Sequence, residues 1–142
     1  MPAEILHKTN QSLGVEISEG YGLTESTVML MTTPRDVAKK LNSVGVPIPG
    51  VDLKIVDPEG QEVEPHAVGE IIFRGPNMMK GYYKKEDDTI NTIKDGWLYT
   101  GDLAYYDEDG YHFIVDRKKD MIIRGGFNIY PRELEEVLYT HP

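Results

Sequence analysis

The sequence predicts an α+β fold. It would consist of a short strand–loop piece of α/β type, a small distorted β-barrel, and the start of a small α+β unit. Three observations support this prediction. A helix and a strand precede a glycine-containing loop, several short strands separated by turn residues follow, and a hairpin and a helix come last. The changes in sequence character place the divisions at 1–42, 43–118 and 119–142.

The first unit is predicted to begin with a helix. Residues 3–13 lie between a proline and Gly14, a pattern typical of a helix and its stop signal. Apolar and polar residues alternate over 15–18, which predicts a strand. This strand leads into the loop Gly20–Glu25, and a strand that enters a glycine-containing loop is a common ligand site in α/β proteins.

The second unit holds most of the predicted strands. Two prolines and two glycines predict a loop over 44–50, and turn residues occupy 57–60 and 107–110. One short helix is predicted over Lys85–Lys94. The predicted strands are Val51–Val56, Glu70–Arg74, Trp97–Thr100, Leu103–Tyr106 and Tyr111–Val115.

The third unit is predicted to be a hairpin followed by a helix. Asp120–Arg124 and Phe127–Ile129 flank a glycine pair, and Pro131 is typical of the first turn of a helix. The apolar stripe of this helix, Leu134, Val137 and Leu138, has no predicted partner before residue 142. We therefore expect the chain to be a fragment whose exposed apolar residues favour self-association.

Composition excludes several classes of function. The 142 residues carry a formal net charge of −9, which disfavours nucleic acid as a partner. No cysteine is present, so a disulfide framework, a thiolate nucleophile and a cysteine-bound metal are excluded, and the composition is compatible with the cytoplasm. The N-terminal residues lack the pattern of a secretory signal, and no apolar run predicts a transmembrane segment.

The loop Gly20–Glu25 (GYGLTE) carries groups that could bind a nucleotide and its metal. Tyr21, between Gly20 and Gly22, could stack on a base or could be a core tyrosine beside a turn. Thr24 and Glu25 could meet a phosphate oxygen and Mg²⁺, or Thr24 could cap a helix with Glu25 in its first turn.

Two later motifs add polar candidates. Asp102 could accept both ribose hydroxyls or could satisfy nearby backbone N–H groups in a turn. Arg117 could bind ribose or phosphate oxygens or could form a surface ion pair. Residues 118–120 are expected to be solvated and would suit a hinge. The pair Gly125-Gly126 could approach a ligand closely or form a plain hairpin turn.

Taken together, three segments resemble a known family. GYGLTE, GEIIFRGPNMMKGYY and DGWLYTGDLAYYDEDGYHFIVDRKKDMIIRGGFNIYPRELEEVL occur here in the order and at the spacing found in acyl-CoA synthetases of the adenylate-forming superfamily. That superfamily also includes firefly luciferase and the adenylation domains of nonribosomal peptide synthetases. The resemblance implies that 1–42 is the tail of a large N-terminal domain, 43–118 its β-barrel-like subdomain, and 119–142 the hinge and start of a C-terminal domain.

The resemblance implies a role for each candidate residue. Tyr21 would stack on adenine in a pocket lined by Gly20 and Gly22, and Asp102 and Arg117 would bind ribose and phosphate. Thr24 and Glu25 are the expected catalytic residues, at the α-phosphate and at Mg²⁺. Lys119 would be the hinge residue, and Gly125 and Gly126 would border the tunnel for coenzyme A.

The implied activity is ATP-dependent acid–CoA ligation through an acyl-adenylate, with ATP, Mg²⁺ and coenzyme A as cofactors or co-substrates. The segment GGFNIYPRELEEVL is similar to fatty-acyl-CoA ligases, so a fatty acid is the expected substrate. An aryl-acid or amino-acid adenylating enzyme is an alternative, and a non-catalytic β-barrel interaction module is another. The family's phosphate loop and catalytic lysine are expected outside residues 1–142, so we expect these residues alone to be inactive.

Overall fold

A computed structural model describes residues 3–14, 17–34 and 39–139 of the chain. The helices are α1 (Ala3–Leu13), α2 (Glu86–Thr92) and α3 (Pro131–Tyr139), and Thr24–Ser26 form one 3-10 turn. The first five strands are β1 (Gly20–Tyr21), β2 (Met31–Thr32), β3 (Val46–Pro47), β4 (Asp52–Val56) and β5 (Gly69–Arg74). The others are β6 (Ile93–Lys94), β7 (Trp97–Tyr106), β8 (His112–Arg117), β9 (Ile122–Arg124) and β10 (Phe127–Ile129). Within these ranges, no helix is long and apolar enough to cross a membrane.

The strands form three antiparallel sheets. The first has the order β1-β2-β3, and β9 and β10 form a separate hairpin. In the five-stranded sheet, β5 lies between β4 and β7. The opposite edge of β7 is shared, because β6 pairs with its first residues and β8 with its last. Two register shifts, at Glu70–Ile72 and at Leu103–Ala104, bend this sheet into a curled half-barrel.

One apolar core joins the β1-β2-β3 sheet and the five-stranded sheet. Its fully buried side chains are Leu30, Met31, Ile55, Ile71, Phe73, Leu98 and Ala104. Each buried side chain of this size contributes roughly 1.5–3 kcal/mol relative to exposure. The predicted small β unit therefore shares its core with residues from before position 43. The division of the chain into three units stays a prediction.

The strand predicted over 15–18 is wrong for the part that can be described. Residues 15 and 16 lie outside the described ranges, and residues 17 and 18 belong to no strand. The backbone N–H of Ile17 donates to Asn10 Oδ1 at 2.9 Å, and the Ile17 carbonyl accepts from Lys39 Nζ at 3.2 Å. Side chains thus satisfy the groups that a neighbouring strand would have used. The strand begins later, at Gly20.

The loop predicted over 44–50 contains a short strand. Val46 pairs with Thr32 and Pro47 with Met31. A proline fits there because β3 is an edge strand of its sheet, where a missing N–H breaks no ladder on the open side.

Two other predicted boundaries need correction. Trp97–Thr100 and Leu103–Tyr106 are one continuous strand, since Gly101, at φ +75°, continues it without a break. The helix predicted over Lys85–Lys94 ends at Thr92, because the last two residues pair with β7 as β6.

The hairpin and helix predicted after residue 119 are confirmed, although the first strand begins at Ile122 and not at the predicted Asp120. Helix α3 begins at Pro131 and is held against β8 at its first turn. The backbone N–H of Arg132 donates to Asp116 Oδ2 at 3.1 Å, and Arg132 Nη1 donates to the Ile114 carbonyl at 3.1 Å. Asp116 therefore satisfies a backbone donor that the helix start leaves open. The predicted apolar stripe of α3, Leu134, Val137 and Leu138, is exposed.

Candidate functional site

The loop after β1 is folded so tightly that it requires a glycine. A Cβ atom on Gly22 would lie 1.5 Å from the Val28 carbonyl oxygen. The turn is closed by the Leu30 N–H, which donates to the Tyr21 carbonyl at 2.8 Å. Thr24 is the first residue of the 3-10 turn and Leu23 occupies the capping position, so the alternative prediction that Thr24 caps a helix is wrong.

A second loop, after β5, holds the first one in place. Asn77 Nδ2 donates to the carbonyls of Ser26 and Met29, both at 3.0 Å. The Tyr82 hydroxyl donates to Glu25 Oε1 at 2.7 Å. This hydrogen bond to the Glu25 carboxylate, together with burial, raises the pKa of Tyr82, because the neutral hydroxyl is the donor. Glu25 is thus oriented both by the 3-10 turn to which it belongs and by Tyr82 in the loop after β5.

Tyr21 and Asp102 meet across the fold. The Tyr21 hydroxyl donates to Asp102 Oδ2 at 2.6 Å, within the range of charge-assisted hydrogen bonds. Burial and this contact with Asp102 raise the pKa of Tyr21 above its ordinary value of 10.0. The hydrogen bond joins the first candidate motif to the second over 81 positions of sequence.

Arg117 completes this contact from β8. Its Nε lies 3.6 Å from Asp102 Oδ1, and its side chain is exposed. Asp102 faces Arg117 because the two residues are register partners of β7 and β8. Asp116, the sequence neighbour, instead accepts the Arg117 backbone N–H at 2.7 Å. The guanidinium is therefore aimed at the same carboxylate that Tyr21 contacts.

Lys118 corrects the expectation that 118–120 are only solvated. Its Nζ donates to Glu70 Oε2 at 2.7 Å. Lys119 is exposed in the turn that follows β8, where the N–H of Asp120 donates to the Arg117 carbonyl at 3.0 Å. The predicted hinge residue thus lies in a turn between two units of secondary structure.

These side chains line one open cleft of about 540 Å³. Its lining residues are Leu23, Glu25, Thr100, Gly101, Asp102, Arg117, Lys118 and Lys119. Four predicted site residues are therefore brought together: Glu25, Asp102, Arg117 and Lys119. Tyr21 reaches the cleft through its contact with Asp102.

The other predicted site residues lie outside this lining. Gly20 and Gly22 flank Tyr21 in the chain, and Thr24 is an exposed neighbour of Glu25. Gly125 and Gly126 form the turn of the β9–β10 hairpin. Their ligand roles stay predictions.

The charges of the cleft suit an anionic ligand that brings a cation. Three cationic side chains and two carboxylates line it, although the whole chain carries a net charge of −9. Glu25 uses one oxygen for Tyr82, which leaves the other for a hard cation. No group of three metal-ligating side chains occurs in the part of the chain that the structure describes. Mg²⁺ suits such a site because it takes few protein ligands and completes its shell with water and phosphate.

Sequence reasoning missed three residues whose side chains hydrogen-bond to the loops and strands around the cleft: Glu70, Asn77 and Tyr82. Glu70 had a detectable signal, because it is a charged residue inside the apolar run of β5. Tyr82 and Asn77 had no comparable local signal. Their partners lie about fifty or more positions away, which no local pattern can show.

Comparison with known proteins identifies the class. The family model described as AMP-binding enzyme matches residues 1–83, more than half of the chain, so the chain belongs to the AMP-binding enzyme family. The resemblance inferred from the three motifs is confirmed.

Named relatives are CoA ligases. The long-chain-fatty-acid–CoA ligase of Salmonella typhimurium is 48% identical over 128 residues, which cover 90% of this chain and 23% of the relative. The long-chain-fatty-acid–CoA ligase of Bacillus subtilis is 45% identical over 142 residues, which cover 99% of this chain and 25% of the relative. The feruloyl-CoA synthase of an Amycolatopsis species is 45% identical over 130 residues, covering 91% and 26%. The chain thus spans about a quarter of the length of these relatives.

Solved structures agree with this assignment. The O-succinylbenzoate coenzyme A synthetase of Bacillus subtilis, in complex with ATP and magnesium ion, matches with a TM-score of 0.89 at 39% identity. The match covers 100% of this chain and 30% of that one. An anthranilate CoA ligase in complex with anthranoyl-AMP matches with a TM-score of 0.90 at 31% identity, covering 99% and 27%.

Proposed function

We propose that these residues form one wall of the nucleotide site of an ATP-dependent acid–CoA ligase. The observation that carries the proposal is the cleft in which Asp102, contacted by Tyr21 and Arg117, lies with Glu25. An adenosine ribose and a phosphate need acceptors and cations close together, and this arrangement supplies both. The complexes of the structural relatives with ATP and magnesium ion and with anthranoyl-AMP support the same assignment.

The proposed reaction has two steps. The carboxylate of the acid attacks the α-phosphorus of ATP, which forms an acyl-adenylate and releases pyrophosphate. The thiol of coenzyme A then attacks the acyl carbon and releases AMP. Forming the mixed anhydride makes the acyl carbon electrophilic, so the second step can follow.

Each residue has a proposed part in this reaction. Tyr21 stacks on adenine, with Gly20 and Gly22 at the pocket wall. Asp102 accepts hydrogen bonds from the ribose hydroxyls, and the exposed Arg117 guanidinium neutralises phosphate charge. Thr24 donates to an α-phosphate oxygen.

Glu25 is the residue that would hold Mg²⁺, which offsets negative charge on the phosphate when bound. Lys119 is proposed as the hinge, and Gly125 with Gly126 as the wall of the coenzyme A tunnel. The phosphate loop and the catalytic lysine are proposed to come from other parts of the full-length protein. That proposal agrees with relatives about four times as long as this chain.

A long-chain fatty acid is the proposed substrate. Fatty-acid–CoA ligases are among the relatives with 45–48% identity. An aryl acid is the second candidate, because a feruloyl-CoA synthase at 45% identity and an anthranilate CoA ligase with a TM-score of 0.90 match equally long stretches. An amino acid is a further alternative within the superfamily.

The test is AMP formation by the full-length protein that contains these residues. It would be incubated with ATP, Mg²⁺ and coenzyme A, and separately with a long-chain fatty acid, ferulate, anthranilate or an amino acid. We expect the fatty acid to give the highest kcat/KM for AMP release. A higher value with an aryl acid would transfer the proposal to the second candidate. If none of these acids stimulates AMP formation, the result would favour a non-catalytic β-barrel interaction module.

The isolated 142 residues provide a second test. Base stacking is worth roughly 1–3 kcal/mol and each charge-assisted ribose contact about 1.5–3 kcal/mol, before the cost of association. We therefore expect AMP to bind in the millimolar range or more weakly, measured by NMR titration. We also expect no acid-dependent pyrophosphate exchange. A micromolar dissociation constant for AMP, or measurable pyrophosphate exchange, would contradict the proposal that these residues form only one wall of the nucleotide site.

A further inference from the structure

Glu70 is a buried acidic residue on a central strand. Only 9% of its surface is exposed, and it lies in β5 between the buried residues Gly69 and Ile71. A carboxylate is costly to bury unless it is paired and hydrogen-bonded. Its partners therefore indicate why an acid occupies this position.

Each carboxylate oxygen of Glu70 holds a different element. Oε1 accepts the backbone N–H of Gly101 at 3.0 Å, and Oε2 accepts Lys118 Nζ at 2.7 Å. Gly101 and Lys118 are themselves joined, because the Lys118 N–H donates to the Gly101 carbonyl at 2.8 Å. The three residues thus form a closed ring of hydrogen bonds, which we call the Glu70 ring.

The Glu70 ring adjoins the candidate site on two strands. Gly101 precedes Asp102 on β7, and Lys118 follows Arg117 at the end of β8 and precedes Lys119. The Asp102–Arg117 contact is long, at 3.6 Å, and Arg117 is largely exposed, so this pair alone does little to fix the two strands. If Gly101 and Lys118 are held in place, the side chains of the adjacent residues Asp102 and Arg117 are also placed.

We propose that Glu70 is a positioning residue that sets the separation of Asp102 and Arg117 through the Glu70 ring. One arm, to the Gly101 N–H, orients the peptide that precedes Asp102. The other arm, to the Lys118 ammonium, anchors the end of β8 next to the proposed hinge. Glu70 itself is not among the residues that line the cleft. This proposal rests on the proposed function for its kinetic consequence only.

The structural arm is tested by hydrogen exchange in the full-length protein. Glu70→Ala removes the acceptor of the Gly101 N–H, so exchange at the amides of Gly101 and Lys118 is expected to rise at least about tenfold. Glu70→Gln keeps a carbonyl acceptor and is expected to protect Gly101. Glu62→Gln is the matched control. Glu62 Oε2 forms an exposed ion pair with Lys54 Nζ at 3.0 Å, and neither residue lines the cleft. Unchanged exchange at Gly101 in Glu70→Ala would overturn the proposal.

The functional arm is tested by the KM for ATP. Glu70→Gln and Lys118→Met remove the Glu70–Lys118 ion pair from opposite ends. Each is expected to raise the KM for ATP about threefold while kcat stays within about twofold of wild type. The double variant is expected to raise the KM no more than either single variant. Glu70→Ala loses both arms and is expected to raise the KM about tenfold. Glu62→Gln is expected to behave as wild type.

The outcomes separate this proposal from its alternatives. A purely structural Glu70 would lower thermal stability without changing the KM, and this result would overturn the positioning role. A much larger effect from Lys118→Met than from Glu70→Gln would mean that Lys118 contacts the nucleotide directly, which also overturns it. If Glu70→Ala does not fold, Glu70→Gln, Lys118→Met and their double variant decide. If the wild-type protein neither binds ATP nor forms AMP, the proposed function fails, while exchange at Gly101 still tests the ring.

Discussion

At the scale of single residues, Tyr21 combines two tasks that can be separated. Its hydroxyl donates to Asp102, and its ring is proposed to stack on adenine. Buried tyrosine hydroxyls usually find a partner, so the hydrogen bond alone is compatible with a structural tyrosine. The ring and the hydroxyl therefore need different substitutions.

Tyr21→Phe keeps the ring and removes the hydroxyl. We expect the free energy of unfolding to fall by about 1–2 kcal/mol and the KM for ATP to change less than about threefold. Tyr21→Leu removes the ring as well, and loss of stacking is expected to raise the KM at least about tenfold. Both values would be measured in the full-length protein. Equal KM values for the two variants would contradict a stacking role.

The protonation of Tyr21 gives a pH dependence with a definite sign. Burial and the Asp102 contact raise the pKa of Tyr21 in the folded state above the ordinary value of 10.0, so folding favours the protonated form. The stability that Tyr21 gains from this preference for the protonated hydroxyl is complete below pH 10 and is lost as the pH rises above 10. We expect the free energy of unfolding to fall by up to about 1.4 kcal/mol per pH unit from this residue. Subtracting the profile of Tyr21→Phe isolates the effect, and parallel profiles would contradict it.

Residue types made Glu25, Asp102 and Arg117 candidates, and the family resemblance assigned roles to them and to Lys119; these four residues share a cleft. They could be predicted because the motifs that carry them are short and characteristic. Lys118 was predicted to be solvated because its partner Glu70 is 48 positions away, and no local pattern reveals such a pair.

At the scale of secondary structure elements, β7 depends on one residue for its continuity. Gly101 has φ +75°, a left-handed conformation that residues with a Cβ adopt only with strain, although open space surrounds the position of that atom. This conformation lets the strand pass from its pairing with β6 to its pairing with β8. Asp102 follows immediately.

Gly101→Ala tests this dependence against a matched variant. Gly110 has φ +78° and equally open space, but it lies in the β7–β8 turn. Both alanine variants are expected to lose about 1–2 kcal/mol of unfolding free energy from backbone strain. Only Gly101→Ala is expected to raise the KM for ATP several-fold, because it displaces Asp102. A similar change in KM for both variants would contradict the argument.

Elements with strong local patterns were predicted with starts or ends within a residue or two of those observed. The β7–β8 turn, β4, β5 and α3 belong to this group. The two short strands at Met31–Thr32 and Val46–Pro47 were missed, because each is only two residues long and is defined by its partner. Tertiary pairing, not propensity, makes such segments strands.

At the scale of the whole molecule, large apolar residues are exposed in the last three elements, β9, β10 and α3. Ile123, Phe127, Val137 and Leu138 all expose more than half of their surface. Uncovered apolar patches favour association, so the expected self-association of this chain stays a prediction with a clear test.

Leu138→Lys in the isolated chain is expected to reduce self-association, because a charge would have to be buried with the patch. Light scattering over a range of concentrations measures the effect. Leu41→Lys is the control, since Leu41 is also exposed but lies outside the last three elements. A wild-type chain that stays monomeric at every concentration would contradict the prediction.

The contact between Asp116 and Arg132 sets an order of unfolding. It closes a loop that contains the turn at Lys119 and the β9–β10 hairpin, and hydrogen bonds from Arg132 to Asp116 and Ile114 hold the loop shut. Such bonds contribute only about 0.5–1.5 kcal/mol each, whereas opening the loop restores chain entropy that grows in weight with temperature. On heating, the described residues after Lys118, which the Glu70 ring does not hold, should therefore detach while the curled sheet is still intact, as a separate cooperative unit.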